Sequence, residues 1–71
     1  AAKVGGSMPT VFNSADEEAV ELFRQRKISY LDITRLIGEA MDRIKNIENP
    51  SIEQIFAVEK EARRVVREMA D

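Results

Sequence analysis

Apolar residues recur at three- and four-residue steps in three separate stretches of this 71-residue chain. That spacing places them along one face of an α-helix, because a turn takes about 3.6 residues. The stripes are Met8, Val11, Phe12, Ala15, Ala19, Leu22 and Phe23, then Ile33, Leu36, Ile37, Ala40, Met41, Ile44 and Ile47, then Ile52, Ile55, Phe56, Ala62, Val65, Val66 and Met69. Three such helices bury their stripes against one another, so we predict an all-α fold, a small bundle of three amphipathic helices with roughly antiparallel neighbours.

The first helix is predicted to run from about Pro9 to Gln25. Ser7 offers an oxygen that could cap it, and proline suits a first helical turn because the N–H that it lacks has no partner there. A shorter helix beginning at Ser14, with Glu17 completing a capping box, is the alternative. The longer helix is favoured because the apolar stripe is continuous before Ser14.

The second helix is predicted from about Tyr30 to Asn46, with Ser29 as its cap and Asp32 reaching back to it. Gly38 lies inside this helix, where glycine costs about 1 kcal/mol relative to alanine. Either a neighbouring helix approaches closely at Gly38 or the glycine is merely tolerated, and the sequence leaves both open.

The third helix opens at Ser51, which forms a capping box with Gln54, and runs to about Met69. Val58 flanks its stripe and Glu59 interrupts it. Its arginines come late and its acids early, as the helix dipole favours.

The chain begins with a pattern typical of the end of a helix. Ala1 to Val4 read as a last turn, and two glycines follow that could terminate it. We therefore predict that residues 1–7 are the end of an upstream helix and a linker, and that residues 8–71 form the helical bundle domain. A non-native leader preceding Met8 is the alternative.

Composition excludes several classes of site. The chain has no cysteine and no histidine, so the commonest metal ligand and general base are missing. Its net charge of -2 disfavours a nucleic-acid-binding module, which normally carries excess basic charge. No apolar run approaches the roughly 20 residues that span a membrane. We expect no nucleic-acid or membrane partner.

The remaining polar candidates lie in the first helix. Asp16, Glu17 and Glu21 lie close together, but without acids from a second element they are better interpreted as a solvated acidic surface than as a metal site. Asn13 is unusual in a helix interior, where its amide could reach a neighbouring domain. A plain surface position or the cap of a shorter helix is the alternative. We predict an interdomain contact at Asn13, Asp16 and Glu17, and no catalytic, cofactor-binding or metal-binding residue.

Three segments resemble one enzyme family. Met8–Phe23 resembles its pattern M-P-x-V-L/F-N-A-A-N/D-E-x-A-V-x-x-F, and Lys27–Ile33 resembles R/K-I-x-F-L-D-I. Asn49–Ile55, followed by Glu61–Arg63, resembles N-P-S-x-E-x-I and a later x-A-R. The chain is similar to the C-terminal domain of 1-deoxy-D-xylulose 5-phosphate reductoisomerases, and the likeness covers nearly its whole length.

The resemblance implies a structural domain of a larger cytoplasmic enzyme. That enzyme would convert 1-deoxy-D-xylulose 5-phosphate to 2-C-methyl-D-erythritol 4-phosphate with NADPH and Mg²⁺ or Mn²⁺, in non-mevalonate isoprenoid synthesis. It would be a homodimer, and its catalytic domain, in the same polypeptide, would be the partner of this one. The family's catalytic residues lie upstream, so none is assigned here. An independent helical interaction module is the alternative, and a helix-turn-helix DNA binder is disfavoured by charge.

Overall fold

The computed structural model describes residues 6–70, which form three helices. They are α1 (Met8–Arg24), α2 (Tyr30–Arg43) and α3 (Ile52–Ala70). The described part of the chain contains no strand. The predicted all-α bundle is therefore confirmed.

The short connection between α1 and α2 reverses the chain direction, so that these two helices are antiparallel. The end of α1 meets the start of α2, where the rings of Phe23 and Tyr30 contact edge to face with centroids 5.9 Å apart. The beginning of α1 meets the segment after α2, where the Ser7 N–H donates to the Ile47 carbonyl at 2.9 Å. α1 contacts α2 and α3 about equally, whereas α2 and α3 touch each other less.

The core lies where the three predicted stripes meet. Leu36, Val11 and Val66 are fully buried. Alanines at the centre of α1 and α3 carry little side chain, so the helix axes can approach closely. The buried apolar residues are Val11, Ala15, Ala19, Leu22, Leu36, Ile37, Ala40, Ile44, Val58, Ala62, Val65 and Val66.

The beginning of α1 matches the longer of the two predicted helices, but its cap differs from the prediction. The Ser7 hydroxyl does not cap α1. It accepts the Ile47 N–H at 2.8 Å instead. The N–H of Met8, which has no acceptor within α1, donates to Oδ1 of Asn46 at 2.9 Å. A residue from the α2–α3 connection therefore supplies the hydrogen-bond acceptor that the first turn of α1 lacks.

Asn46 is free to do this because α2 ends early. The predicted end at Asn46 is wrong, since the helix stops at Arg43 and Ile44 is extended (φ -99°, ψ 122°). Ile44 is still buried. An apolar residue that continues a helical stripe can be buried equally well from an extended segment. The apolar spacing therefore predicted a helix that is too long at its C-terminal end.

Gly6 shows why this junction needs a glycine. Its φ is +54°, in the left-handed region. A Cβ there would also collide with the Ile47 carbonyl oxygen. Gly38, by contrast, has open space around it, so no neighbouring helix approaches there and the glycine is merely tolerated. The predicted helix end within residues 1–4 lies outside the described residues.

The predicted stripes are too wide in two helices. Phe12, Phe23, Ile52 and Phe56 were expected inside, but all four are exposed. Val58, predicted to flank the stripe of α3, is buried. In α3 the inward face runs through Val58, Ala62, Val65, Val66 and Met69, which leaves Ile52 and Phe56 exposed.

The capping boxes of α2 and α3 form as predicted. The Ser29 N–H donates to the Asp32 carboxylate at 3.0 Å. In α3 the Ser51 N–H donates to Gln54 at 2.9 Å, and the Gln54 N–H donates to the Ser51 hydroxyl at 3.1 Å. In α2 the hydrogen bond from the Ser29 N–H lowers the pKa of Asp32 below its ordinary value, and the hydrogen bond from Arg35 is the next cause.

Candidate functional site

The three residues predicted to contact another domain all lie on α1. Asn13 and Glu17 are exposed, and Asp16 is half-buried. Their spacing of three and four residues brings them onto adjoining parts of the helix surface. The helix therefore presents an amide and two carboxylates away from the apolar core.

Glu17 differs from the other two because it already has a partner inside the domain. Its carboxylate accepts a short hydrogen bond from the Arg63 guanidinium of α3. Glu17 thus joins α1 to α3. A contact with a further domain would have to share this carboxylate with Arg63.

Glu18, which no sequence argument singled out, is the most deeply placed acid of this surface. Only 13% of its side chain is exposed. Its Oε2 accepts the Arg67 Nε–H at 2.8 Å, and its Oε1 lies 3.5 Å from Nη1 of Arg63. Two arginines of α3 therefore neutralise one carboxylate at the edge of the core.

Arg63 is the centre of this cluster. Its guanidinium contacts Glu17, Glu18 and, four residues back on its own helix, Glu59. The hydrogen bond to Glu17 raises the pKa of Arg63 above its ordinary value, although burial opposes the shift. The arginine therefore stays charged and holds α1 and α3 in one register.

A signal for the Glu18 cluster was present in the sequence. Glu18 lies four residues before Leu22 and three after Ala15, both of which are buried. An acid at such a position needs a basic partner on the facing helix. Arg63 and Arg67, near the C-terminal end of α3, are these basic partners. The helix dipole alone therefore does not explain why arginines occupy these two positions.

The carboxylates of the described residues do not converge on a metal-binding geometry. Across residues 6–70 there is no group of three or more Asp, Glu, His or Cys side chains placed to hold a metal ion. Within the same span, none of the helices is both long enough and apolar enough to cross a membrane. The chemistry of this surface is that of ion pairs and hydrogen bonds.

Comparison with known proteins identifies a family for the chain. The family model described as the DXP reductoisomerase C-terminal domain matches residues 1–65. DXP denotes 1-deoxy-D-xylulose 5-phosphate.

Individual relatives agree with that match. A 1-deoxy-D-xylulose 5-phosphate reductoisomerase from Caldanaerobacter subterraneus subsp. tengcongensis is 48% identical over 68 residues, which is 94% of this chain and 18% of that enzyme. One from Synechocystis sp. is 49% identical over 70 residues, which is 96% of this chain and 18% of that enzyme. The chain thus spans about a fifth of the length of these relatives. No solved structure matches it.

Proposed function

The chain belongs to the family of DXP reductoisomerase C-terminal domains, and we propose that it supports the catalytic part of such an enzyme without supplying a catalytic group. In the full enzyme the reaction would be the NADPH-dependent conversion of 1-deoxy-D-xylulose 5-phosphate to 2-C-methyl-D-erythritol 4-phosphate. The domain would contribute to the position and stability of the catalytic part.

The observation that carries the proposal is the family match, which begins at residue 1 and continues into α3. The geometry of the α1–α3 surface supports it. Glu18, the most covered carboxylate of this surface, pairs with Arg63 and Arg67, and the Glu17 carboxylate also pairs with Arg63. Charges that hold helices together are not available as an acid, a base or a ligand.

The residues present do not fit the cofactors that the family implies. Mg²⁺ and Mn²⁺ prefer carboxylate oxygens that converge from several positions, and within residues 6–70 no such group exists. We therefore derive no step through a metal or through NADPH in this domain. The proposed enzyme would hold both elsewhere in its polypeptide.

The proposal includes several finer points that follow from the family. Asn13, Asp16 and Glu17 remain the predicted interdomain contact, and residues 1–7 remain the predicted end of an upstream helix and linker. The homodimer, the cytoplasmic location and the use of NADPH with Mg²⁺ or Mn²⁺ are predictions for the full enzyme. The alternative of an independent interaction module is not favoured, because it gives no reason for the match to this family.

A domain replacement tests the proposal. The enzyme from Caldanaerobacter subterraneus subsp. tengcongensis would be prepared whole, without its matched 68-residue segment, and with this chain in place of that segment. We expect the truncated enzyme to lose most of its NADPH oxidation with 1-deoxy-D-xylulose 5-phosphate and Mg²⁺, and the chimera to regain it.

The isolated chain is the matched control and should oxidise no NADPH under the same conditions. Full activity of the truncated enzyme would contradict a supporting role. Turnover by the isolated chain would contradict the absence of catalytic groups. A folded chimera that stays as inactive as the truncated enzyme would contradict the assignment to this domain position.

A further inference from the structure

The start of α1 is tied to the α2–α3 connection by four hydrogen bonds, here called the clasp. The Ser7 N–H donates to the Ile47 carbonyl at 2.9 Å, and the Ile47 N–H donates to the Ser7 hydroxyl at 2.8 Å. Oδ1 of Asn46 accepts the Met8 N–H at 2.9 Å and the Ser7 hydroxyl at 3.4 Å. These bonds join positions 38 to 40 residues apart, so they form only when the bundle folds.

Ser7 is the centre of the clasp and is fully buried. Besides its N–H and its hydroxyl, its carbonyl oxygen accepts the N–H groups of Thr10 and Val11 at 3.0 and 3.2 Å. Every polar group of this residue is therefore engaged, partly by α1 and partly by the α2–α3 connection. An ordinary helix cap bonds only to the first turn of its own helix. Ser7 is bound to two elements at once, which fixes its backbone.

Gly6 fixes the direction of the chain that reaches Ser7. It is buried, and its φ of +54° lies in the left-handed region, which is a small part of the allowed backbone space. Its backbone is packed so closely on the Ile47 carbonyl oxygen that a Cβ would collide with it. A flexible linker, by contrast, has an exposed backbone that samples many conformations.

The clasp is also attached to the hydrophobic core. Asn46 and Ile47 follow Ile44, which is one of the buried core residues. Ile47 and Met8 are themselves partly buried against that core. A motion of residues 6–8 would therefore have to break hydrogen bonds and displace apolar side chains at the same time.

We propose that residues 6–8 form a rigid joint and not a flexible linker, so that the chain enters this domain in one fixed direction. The inference rests on the proposed function, in which the rest of the polypeptide precedes the domain, and it specifies how that connection behaves. The matched family model is described as a C-terminal domain, and its match includes the whole clasp. A joint that two elements hold transmits the orientation of the bundle to the chain before it, which a flexible linker does not do.

Amide hydrogen exchange in the isolated 71-residue chain tests the joint. The decisive group is the N–H of position 7, because its bond to the Ile47 carbonyl joins two backbones and is not removed by a change of side chain. Ser7→Ala removes the hydroxyl of the clasp. Asn46→Ala removes the acceptor of the Met8 N–H, and it leaves the core intact because Asn46 is exposed.

Two controls separate the clasp from the rest of the domain. Ser51→Ala is the matched substitution, since it removes a hydroxyl from the capping box of α3 and leaves the clasp untouched. The exchange rate of the Leu36 N–H, in the fully buried core, reports unfolding of the whole bundle. Each rate at position 7 is therefore divided by the rate at Leu36 in the same protein.

In the unsubstituted chain we expect the N–H of position 7 to exchange at least about 100-fold more slowly than in an unstructured peptide, since exchange requires the clasp to open. Ser7→Ala and Asn46→Ala should each raise the ratio to Leu36 at least about tenfold, because the four bonds open together. Ser51→Ala should leave the ratio unchanged. NMR relaxation of the Gly6 amide gives a second readout, with an order parameter of about 0.85 for a rigid joint and below about 0.6 for a flexible linker.

Three results would overturn the inference. Exchange of the position-7 N–H at the unstructured rate in the unsubstituted chain would mean that this segment frays as an ordinary chain end. An unchanged ratio in both clasp variants would mean that the four bonds do not act as one unit. An equal rise in the ratio for Ser51→Ala would mean that the effect is not specific to the clasp. These measurements need no enzyme activity, so a failed joint is distinguishable from a failed proposed function, which the activity of the chimera reports.

Discussion

The two ion pairs that end at Glu18 and at Glu68 allow a direct test of what burial adds to a salt bridge. The Glu18 carboxylate lies 2.8 Å from Nε of Arg67, and the Glu68 carboxylate lies 2.8 Å from Nη1 of Arg64. Their side chains are 13% and 62% exposed, respectively. Glu18 joins α1 to α3, whereas Glu68 pairs within one turn of α3.

The expected cost of Glu18→Ala follows from this geometry. Breaking a fully buried pair costs about 3–5 kcal/mol, and an exposed pair contributes about 0–1 kcal/mol. Glu18 is covered, but Arg67 is 61% exposed and Arg63 keeps Glu17 and Glu59. We therefore expect Glu18→Ala to lower the free energy of unfolding by about 1–2 kcal/mol, and Glu68→Ala by less than about 0.5 kcal/mol.

Thermal unfolding followed by far-ultraviolet circular dichroism measures both effects. For a domain of this size about 1–2 kcal/mol corresponds to a fall in Tm of roughly 5–15 °C. Both substitutions give the same gain in helix propensity, so their difference reports the interaction itself. Glu18→Gln keeps the side-chain volume and isolates the charge. Equal losses for Glu18→Ala and Glu68→Ala would refute the role assigned to burial.

Three further predictions concern the core, the glycines and pH. Leu36→Ala removes a fully buried side chain and should cost about 2–5 kcal/mol, close to the whole stability of a domain this small, so an unchanged melting curve would contradict the described core. Gly38→Ala should raise the free energy of unfolding, measured by urea titration, by about 1 kcal/mol, because the added methyl group meets open space on a helix. Gly6→Ala should lower the same free energy by at least about 1 kcal/mol, because φ is positive there and the Cβ collides with the Ile47 carbonyl. A stabilising Gly6→Ala together with a destabilising Gly38→Ala would contradict the described junction. Folding lowers the pKa of Asp32, so the ionised carboxylate contributes its full stability above the ordinary value of 3.8, and this contribution is lost as the pH falls from there through the lower folded value. Asp32→Asn should therefore flatten the acid side of a plot of Tm against pH. An acid side that is the same in both proteins would argue against the capping box.

The helices and their starts were predictable because their signals are local. The spacing of Val11, Ala15 and Leu22 indicates a helix without reference to any other part of the chain. The pairing of Ser51 with Gln54 extends over only three residues, and it forms as predicted. The resemblance to the family likewise depends on motifs read in order along the chain, and the family match agrees with it.

The candidate site was predicted less completely, because its contacts join distant positions. Glu18 and Arg67 are 49 residues apart in sequence. Many acids and many arginines are available, and only the packing of α1 on α3 selects which of them meet. Asn13, Asp16 and Glu17 were chosen for their position on α1, but only the structure distinguishes Glu17, which Arg63 engages, from the other two.

The amino-acid sequence alone determined that this chain is three amphipathic helices of one family, because helical spacing and capping depend on neighbours within about four residues. The tertiary structure decided where α2 stops, which acid is buried and which apolar residues stay uncovered. Asn46 lies beyond the end of α2 and accepts the Met8 N–H at the start of α1, 38 residues away. Phe12 stays 46% exposed because the core lies on another side of α1. Such choices depend on how the helices are rotated against one another, and a periodic pattern wide enough for two faces does not specify that rotation.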